Sequence, residues 1–301
     1  MENFLVSVAL PLTLAFIMFT LGLGLRVADF LRVFQMPKAF FTGFVNQVVF
    51  LPIVGFCLAL AFGLPPELAV GMMILALSPG GATTNVLSKI AGGNVPLSIS
   101  LTAVVTVISV VTVPLLVTWS VAFFLDGQTV KEVDTLALSI TMFLMTVLPV
   151  ALGMVLTAIA PTLVERISGA LSVLAVVFFA VIIVAAIAAN MQVITDNFAT
   201  MGAAVIVLMV IMLSLGLMSG RAMGLDPRDG STIAIESGIQ NGTLGVAVGA
   251  IVAAQLIDGA TGISTFGVPS AVYGAIMYFI AAPFVLWRKS KSKQAVEPAA
   301  A

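Results

Sequence analysis

Long stretches of apolar residues, separated by short polar or charged segments, dominate the pattern of this chain. Each stretch has about the 20 residues that an α-helix needs to cross a bilayer core of about 30 Å. Charged residues and clusters of proline and glycine set the boundaries between stretches. The pattern predicts nine membrane-spanning helices, at residues 4–25, 38–62, 67–90, 95–124, 136–160, 167–189, 199–220, 230–256 and 264–287. The predicted fold class is an all-α polytopic membrane protein.

Composition agrees with this fold class and narrows the function. Of 301 residues, 61% are hydrophobic and 8% are charged, whereas a soluble domain has about 25% charged residues. The net charge of -1 gives no electrostatic support to a nucleic-acid partner. Histidine is absent and Cys57 is the single cysteine, which removes the usual general base and any cysteine-based metal cluster. Enzymatic chemistry is therefore not expected, and no obligate protein partner is inferred.

The positions of lysine and arginine predict the orientation of the helices. With nine spans, eleven of the twelve basic residues fall in segments on one side of the membrane. Basic residues are enriched on the cytoplasmic side, so the N-terminus is predicted outside and the C-terminus in the cytoplasm, at a plasma or inner membrane. Lys131 alone falls on the outer side, and the other eleven are Arg26, Arg32, Lys38, Lys89, Arg166, Arg221, Arg228, Arg288, Lys289, Lys291 and Lys293.

Two of the predicted spans carry helix-breaking residues near their middle. Span three contains SPGG at 78–81, where proline removes a backbone donor and the glycines loosen the chain. Span eight has no proline, but Gly238 and the Asn241-Gly242 pair are turn-forming residues inside an apolar run. Backbone groups that are freed by such breaks are tolerated only inside protein or beside a wet cavity. We therefore expect the two breaks to meet at a polar site.

The placement of the two breaks predicts an inverted repeat. They lie in the third span of 1–4 and in the third span of 6–9, and the two four-helix units enter the membrane in opposite directions. Span five is then an extra helix. Broken helices at corresponding positions of inverted repeats indicate the binding site of a secondary transporter.

Polar side chains near the breaks suggest what is bound there. Glu236 is a costly intramembrane carboxylate without a basic residue in its span. A small cation is its simplest partner, because hard cations prefer carboxylate, amide, carbonyl and hydroxyl oxygens. The helices that restart after each break present N-termini, which attract anions. The pattern favours an anionic substrate that moves together with a cation.

The segments SPGGATTNVLSKIAGGNVPLSISLT and ESGIQN resemble the bile acid:sodium symporter family, and the resemblance covers nearly the whole chain. It implies a panel domain and a core domain, with two crossing broken helices in the core. It also implies a nine-span form that lacks the first of ten helices. The transporter unit is expected at 1–289, with spans 1, 5 and 6 as panel and spans 2–4 and 7–9 as core. Residues 290–301 are expected to be a disordered cytoplasmic tail.

The resemblance also implies two Na⁺ sites that share Glu236, and a nearby substrate site. Threonine at position 84 stands where serine is common in the family, and the hydroxyl ligand is retained. The expected residues of the first Na⁺ site are Thr84, Asn85, Ser98, Thr102 and Glu236. Those of the second site are Gln47, Glu236, Gln240 and the backbone carbonyls of Ser237 and Ile239. The substrate is expected to contact Ala82, Thr83, Asn241 and Ser270.

These expectations together predict a sodium-coupled importer of an organic anion that works by alternating access. The resemblance implies substrates from bile acids to small carboxylates such as pantoate-like acids. An efflux permease for metalloids or anions, with a related fold, is the alternative; it would be expected to use a reactive thiol, and Cys57 lies in neither broken helix. An intramembrane enzyme and a purely structural membrane protein are the other classes considered.

Overall fold

The computed structural model describes residues 9–126, 132–257 and 264–296, with side chains up to residue 292. These residues form helices joined by short segments, and no β-strand occurs among them. Seven helices are long and apolar enough to cross a membrane, or up to nine if each bent pair is one span. The helices are α1 (Leu10–Leu23), α2 (Pro37–Ala61), α3a (Pro66–Leu77), α3b (Ala82–Ile90), α4 (Val95–Phe124), α5 (Thr135–Ile159), α6 (Pro161–Ala189), α7 (Met191–Ala222), α8a (Pro227–Gly238), α8b (Gly242–Leu256) and α9 (Val268–Val296).

The predicted polytopic all-α fold is confirmed, with differences at the ends of some helices. Residues 4–8 of the first span lie outside the described residues, and a short helix at Val27–Leu31 follows α1 after a sharp bend of 78°. Two helices begin earlier than predicted, α6 at Pro161 and α7 at Met191. Proline starts α6 because its missing N–H is not needed in the first turn.

Span three is broken where the sequence predicts the break. α3a ends at Leu77, α3b begins at Ala82, and the two axes differ by 62°. Pro79 cannot continue the helical hydrogen bonding, and Gly81 takes an extended conformation before α3b. Span eight is also interrupted between Gly238 and Gly242, but without proline its halves stay aligned enough to form one span of 30 residues.

The two broken helices cross at their interruptions. α3a packs against α8b, while α3b packs against α8a. A hydrogen bond of 2.9 Å joins the breaks directly, from the Asn241 N–H to the Pro79 carbonyl. The Asn241 side chain also caps α8b, because its Oδ1 accepts a hydrogen bond from the Leu244 N–H at 3.1 Å. The freed backbone groups of each break are thus partly paired with the other break.

Burial divides the helices into inner and outer ones. In the apolar 18-residue stretch of each span, 78% of the α8 residues are buried within the protein, against 28% for α5 and 22% for α6. α1 packs against both α5 and α6, and α7 packs closely against α8a. The broken pair therefore lies inside the bundle, and α5 and α6 lie at its periphery, where apolar side chains face the membrane.

Gly216 sets the closest approach between α7 and α8a. A Cβ atom at this position would lie 2.7 Å from the Ala234 nitrogen and 3.0 Å from the Ile233 carbonyl carbon. Small residues allow such backbone contacts between membrane helices. Gly216→Ala is therefore expected to reduce stability by about 1–3 kcal/mol, as overpacking does, and thermal unfolding in detergent would measure it. Gly169→Ala is the matched control, since nothing lies within 4 Å of its added methyl group; equal unfolding midpoints would contradict this packing.

The C-terminal end differs from the predicted disordered tail. α9 continues to Val296, so the first residues of the expected tail, 290–296, are helical. Ser292 lies against the turn at Gly92, where a Cβ atom would be 2.8 Å from the Ser292 Cβ. This contact between α9 and the turn stabilises the helix beyond the apolar segment. Residues 297–301 lie outside the described residues.

Candidate functional site

Glu236 lies in the last turn of α8a with no exposure to solvent. Its carboxylate is surrounded by hydroxyl groups of α4. Ser98 donates to Oε1, and the Thr102 hydroxyl lies 3.2 Å from Oε1 and 3.0 Å from Oε2. Ser98 and Thr102 can both reach the carboxylate because residues four apart share one face of a helix.

The restarted helix α3b supplies the other two residues of the first expected Na⁺ site. The Thr84 hydroxyl lies 3.3 Å from the Thr102 hydroxyl, and Asn85 Oδ1 lies 2.8 Å from Ser98 Oγ. All five residues expected at this site therefore lie in one connected cluster. The cluster offers carboxylate, hydroxyl and amide oxygens, which are ligands that a hard cation prefers.

The two glutamines of the second expected site donate to backbone carbonyls at Glu236 and at the residue after it. Gln47, in a π-helical segment of α2, donates to the Glu236 carbonyl at 2.8 Å and to Oε2 at 3.3 Å. Gln240 lies within the break of α8 and donates to the Ser237 carbonyl at 2.7 Å. Oε1 of Gln47 and Oε1 of Gln240 are buried and have no partner among the described residues. Two buried amide oxygens without a partner, one of them on Gln47 beside the Glu236 carboxylate, fit a bound cation.

No basic side chain among the described residues lies within 4 Å of the Glu236 carboxylate. The ion pair that the described residues form joins Arg32 and Asp29, which are distant from Glu236 in the sequence. A buried carboxylate without a counter-charge is costly, and a bound metal ion is one way to offset that cost. No cluster of three or more histidine, cysteine, aspartate or glutamate side chains occurs in the described part of the chain. The groups around Glu236 offer carboxylate, hydroxyl and amide oxygens, which fit an alkali cation better than a transition metal.

A cavity of about 190 Å³ lies next to the crossing point. Its polar end is formed by the two breaks and the helix N-termini that follow them. Its apolar wall is contributed by α1, α6 and α9. The lining residues are Ile17, Met18, Thr20, Leu21, Gly81, Ala82, Thr83, Val86, Ser172, Ala175, Val176, Phe179, Gln240, Asn241, Gly242, Thr243, Met277 and Tyr278.

Three of the four expected substrate residues line this cavity, namely Ala82, Thr83 and Asn241. Ser270 does not line it. Ser270 is fully buried at the contact between α9 and α8b, where a Cβ on Gly245 would lie 2.7 Å from the Ser270 Cβ. The glycines of α8b allow α9 to approach closely, so this face of α9 is used for helix packing in the present conformation.

Two tyrosines of α9 are site residues that the sequence did not assign. Tyr278 lines the cavity beside Phe179, with their ring centroids 6.2 Å apart. Tyr273 is fully buried and donates its hydroxyl to the carbonyl of Gly238, inside the break of α8. A buried phenol needs a hydrogen-bond partner, and that requirement is the one signal in the sequence that could have directed attention to Tyr273. Cys57, in contrast, is exposed on α2 and does not line the cavity.

Two broken helices that cross at a buried, oxygen-rich centre place this chain in the class of membrane transporters. Residues 11–197 match the model of the Sodium Bile acid symporter family. This match covers more than half of the chain, which therefore belongs to that family. It includes Gln47, Thr84, Asn85, Ser98 and Thr102.

Curated relatives extend the similarity over the second half of the chain. The probable sodium/metabolite cotransporter BASS1 of Arabidopsis thaliana, a chloroplastic protein, is 30% identical over 92% of this chain and 66% of its own length. The uncharacterized sodium-dependent transporter YocS of Bacillus subtilis is 28% identical over 81% of this chain and 74% of its own. The human ileal sodium/bile acid cotransporter is 31% identical over 49% of this chain and 42% of its own. The chain thus spans slightly less than two thirds of the length of BASS1.

Proposed function

We propose that this protein couples the transport of an organic anion to the movement of Na⁺ in the same direction. The observation that carries the proposal is the fully buried Glu236 carboxylate at the crossing of two broken helices. Neutral hydroxyl groups surround this carboxylate, and no basic side chain among the described residues lies within 4 Å of it. A monovalent cation satisfies both the charge and the donor set.

Two Na⁺ ions are proposed, and both are co-substrates. The first would be held by Thr84, Asn85, Ser98, Thr102 and Glu236, which form one hydrogen-bonded cluster. The second would be held by Gln47, Glu236, Gln240 and the carbonyls of Ser237 and Ile239. The orphaned amide oxygens of the two glutamines support this second site. One carboxylate between two cations offsets part of both charges, so the occupancies of the two sites are coupled.

The anion site is proposed at the polar end of the cavity. The N-termini of α3b and α8b border it, and unpaired N–H groups of a first helical turn attract negative charge. Thr83 and Asn241 supply side-chain donors, and the Thr243 hydroxyl is buried without a partner in the described residues. Because bound Na⁺ would order the same two breaks, its binding would favour that of the anion.

The dimensions of the cavity favour a small organic acid over a bile acid. Its volume of about 190 Å³ is below the roughly 300–1,000 Å³ of sites for drug-sized ligands. Its wall is formed mainly by apolar residues such as Met18, Val176 and Phe179. A carboxylate at the crossing and a compact apolar body therefore fit best, although relatives are named for bile acids as well as for metabolites.

Transport would proceed by alternating access, with α1, α5 and α6 as a panel and the remaining helices as a core. The cavity supports this division, because its lining combines α1 and α6 of the proposed panel with the broken helices and α9 of the proposed core. A rocking motion of one group against the other would expose the same site to either side. The proposed orientation has the N-terminus outside and the C-terminus in the cytoplasm, in a plasma or inner membrane.

An uptake assay in proteoliposomes tests this function. Thermal-shift screening of small carboxylates and taurocholate, with Na⁺ or with K⁺, first selects the acid that stabilises the purified protein. An inward Na⁺ gradient is then expected to accelerate uptake of that radiolabelled acid at least tenfold over an equal K⁺ gradient. Uptake at equal rates in the two gradients would overturn sodium coupling. Liposomes without protein supply the background.

A further inference from the structure

The hydroxyl of Tyr273 reaches the one place where α8 is interrupted. Tyr273 is the largest of the fully buried side chains in the described residues, and its phenol donates a hydrogen bond to the carbonyl of Gly238. Gly238 is the last residue of α8a, so its carbonyl has no partner in the helix. The bond thus joins α9 to the broken end of α8a.

The neighbouring carbonyls have different partners. The Glu236 carbonyl accepts from Gln47, and the Ser237 carbonyl accepts from Gln240 at 2.7 Å. The structure records no hydrogen bond from any described residue to the Ile239 carbonyl. Ser237 and Ile239 are the residues whose carbonyls we propose as Na⁺ ligands, and Gly238 lies between them. The phenol therefore holds the carbonyl that lies between the two carbonyls proposed as Na⁺ ligands.

The backbone conformation explains how the Gly238 carbonyl affects the orientation of the Ile239 carbonyl. Ile239 is extended, with φ −127° and ψ 117°, and successive carbonyls of an extended chain point in opposite directions. Anchoring the Gly238 carbonyl toward α9 therefore turns the Ile239 carbonyl away from Tyr273. From the other side, Leu213 of α7 lies so close that a Cβ at Gly238 would be 2.6 Å from its Cγ. The segment is fixed from two sides.

We propose that Tyr273 is a positioning residue for the second Na⁺ site. Its hydroxyl holds the Gly238 carbonyl so that the Ile239 carbonyl faces the ion. This inference rests on the proposed sodium function and adds a residue that touches neither the ion nor the substrate. It assigns to α9 a part in cation affinity, in addition to its place in the wall of the cavity.

A Na⁺ titration of thermal stability tests the proposal without any organic substrate. Purified protein in detergent is heated at increasing NaCl, with KCl keeping the total salt constant, and the Na⁺ concentration at half-maximal stabilisation is determined. Tyr273→Phe is expected to raise this concentration about three- to tenfold, the effect of losing one hydrogen bond. Thr146→Val removes another fully buried hydroxyl that donates to a backbone carbonyl, in α5 and away from both breaks, and its half-maximal concentration should equal that of the unmodified protein.

The possible results separate the inference from the function on which it rests. If Na⁺ stabilises the unmodified protein no better than K⁺ does, both the positioning role of Tyr273 and the proposed sodium function lose their basis. Saturable stabilisation by Na⁺ with an unchanged half-maximal concentration in Tyr273→Phe would overturn the positioning role alone. A lower unfolding temperature in KCl with that same unchanged concentration would show a merely structural role and also overturn it. Running the titration on solubilised membranes, without purification, keeps a less stable variant measurable.

Discussion

Glu236→Gln is expected to reduce Na⁺-driven uptake of the organic acid at least 100-fold. The substitution keeps the size of the side chain and one acceptor oxygen but removes the one negative charge that both proposed ions share. Two unit charges 4 Å apart interact by about 4 kcal/mol at an effective dielectric constant near 20. Each 1.4 kcal/mol corresponds to about a factor of ten in affinity, so both sites should lose occupancy at ordinary Na⁺ concentrations.

Glu67→Gln is the matched control for this experiment, because Glu67 is exposed at the first turn of α3a. The same substitution there should leave the uptake rate unchanged. Initial rates are compared at equal protein content in the liposomes, over a range of Na⁺ concentrations. If Glu236→Gln transports with the unmodified Na⁺ dependence, Glu236 is not the shared ligand.

Gly80→Ala should produce the second largest effect, although glycine has no side chain to bind an ion. A Cβ atom at Gly80 would lie 2.9 Å from Glu236 Oε2 and 3.4 Å from the Thr84 hydroxyl. Gly80 is not among the described residues with positive φ, so alanine is compatible with the backbone. The methyl group would therefore displace the carboxylate from its hydroxyl partners, and we expect the affinity for Na⁺ to fall at least tenfold.

The Na⁺ titration of thermal stability measures this loss. Gly230→Ala is a control on the same helix as Glu236, with nothing within 4 Å of the added methyl group. The control should match the unmodified protein. Equal Na⁺ affinity in Gly80→Ala would mean that the space beside Oε2 is not part of an ion site.

The spans could be predicted from the sequence because membrane helices need long apolar runs. The break of span three follows directly from Pro79 and two glycines. The break of span eight depended on Gly238 and the Asn241-Gly242 pair, and the structure shows it as a milder interruption. Helix ends were harder to place, since Pro161 and Met191 continue the apolar pattern of the neighbouring helices.

The site could be predicted only in part, because hydropathy does not fix the rotation of a uniformly apolar helix. The polar residues of both breaks lie together, since the breaks themselves meet through Asn241 and Pro79. The sequence pattern of α9 does not indicate which of its side chains face the site. Ser270 faces the glycines of α8b, while Tyr278 lines the cavity, and their positions depend on how α9 packs. The role of each Na⁺ ligand stays a prediction that the geometry supports.

Equilibrium binding of ²²Na⁺ to the purified protein tests the central claim most directly. The account predicts saturable binding that approaches two ions per chain, with both ions lost in Glu236→Gln and retained in Glu67→Gln. This measurement needs no knowledge of the organic substrate. Binding of Na⁺ that does not saturate, or that Glu236→Gln leaves undiminished, would contradict the claim that one buried carboxylate holds both coupling ions.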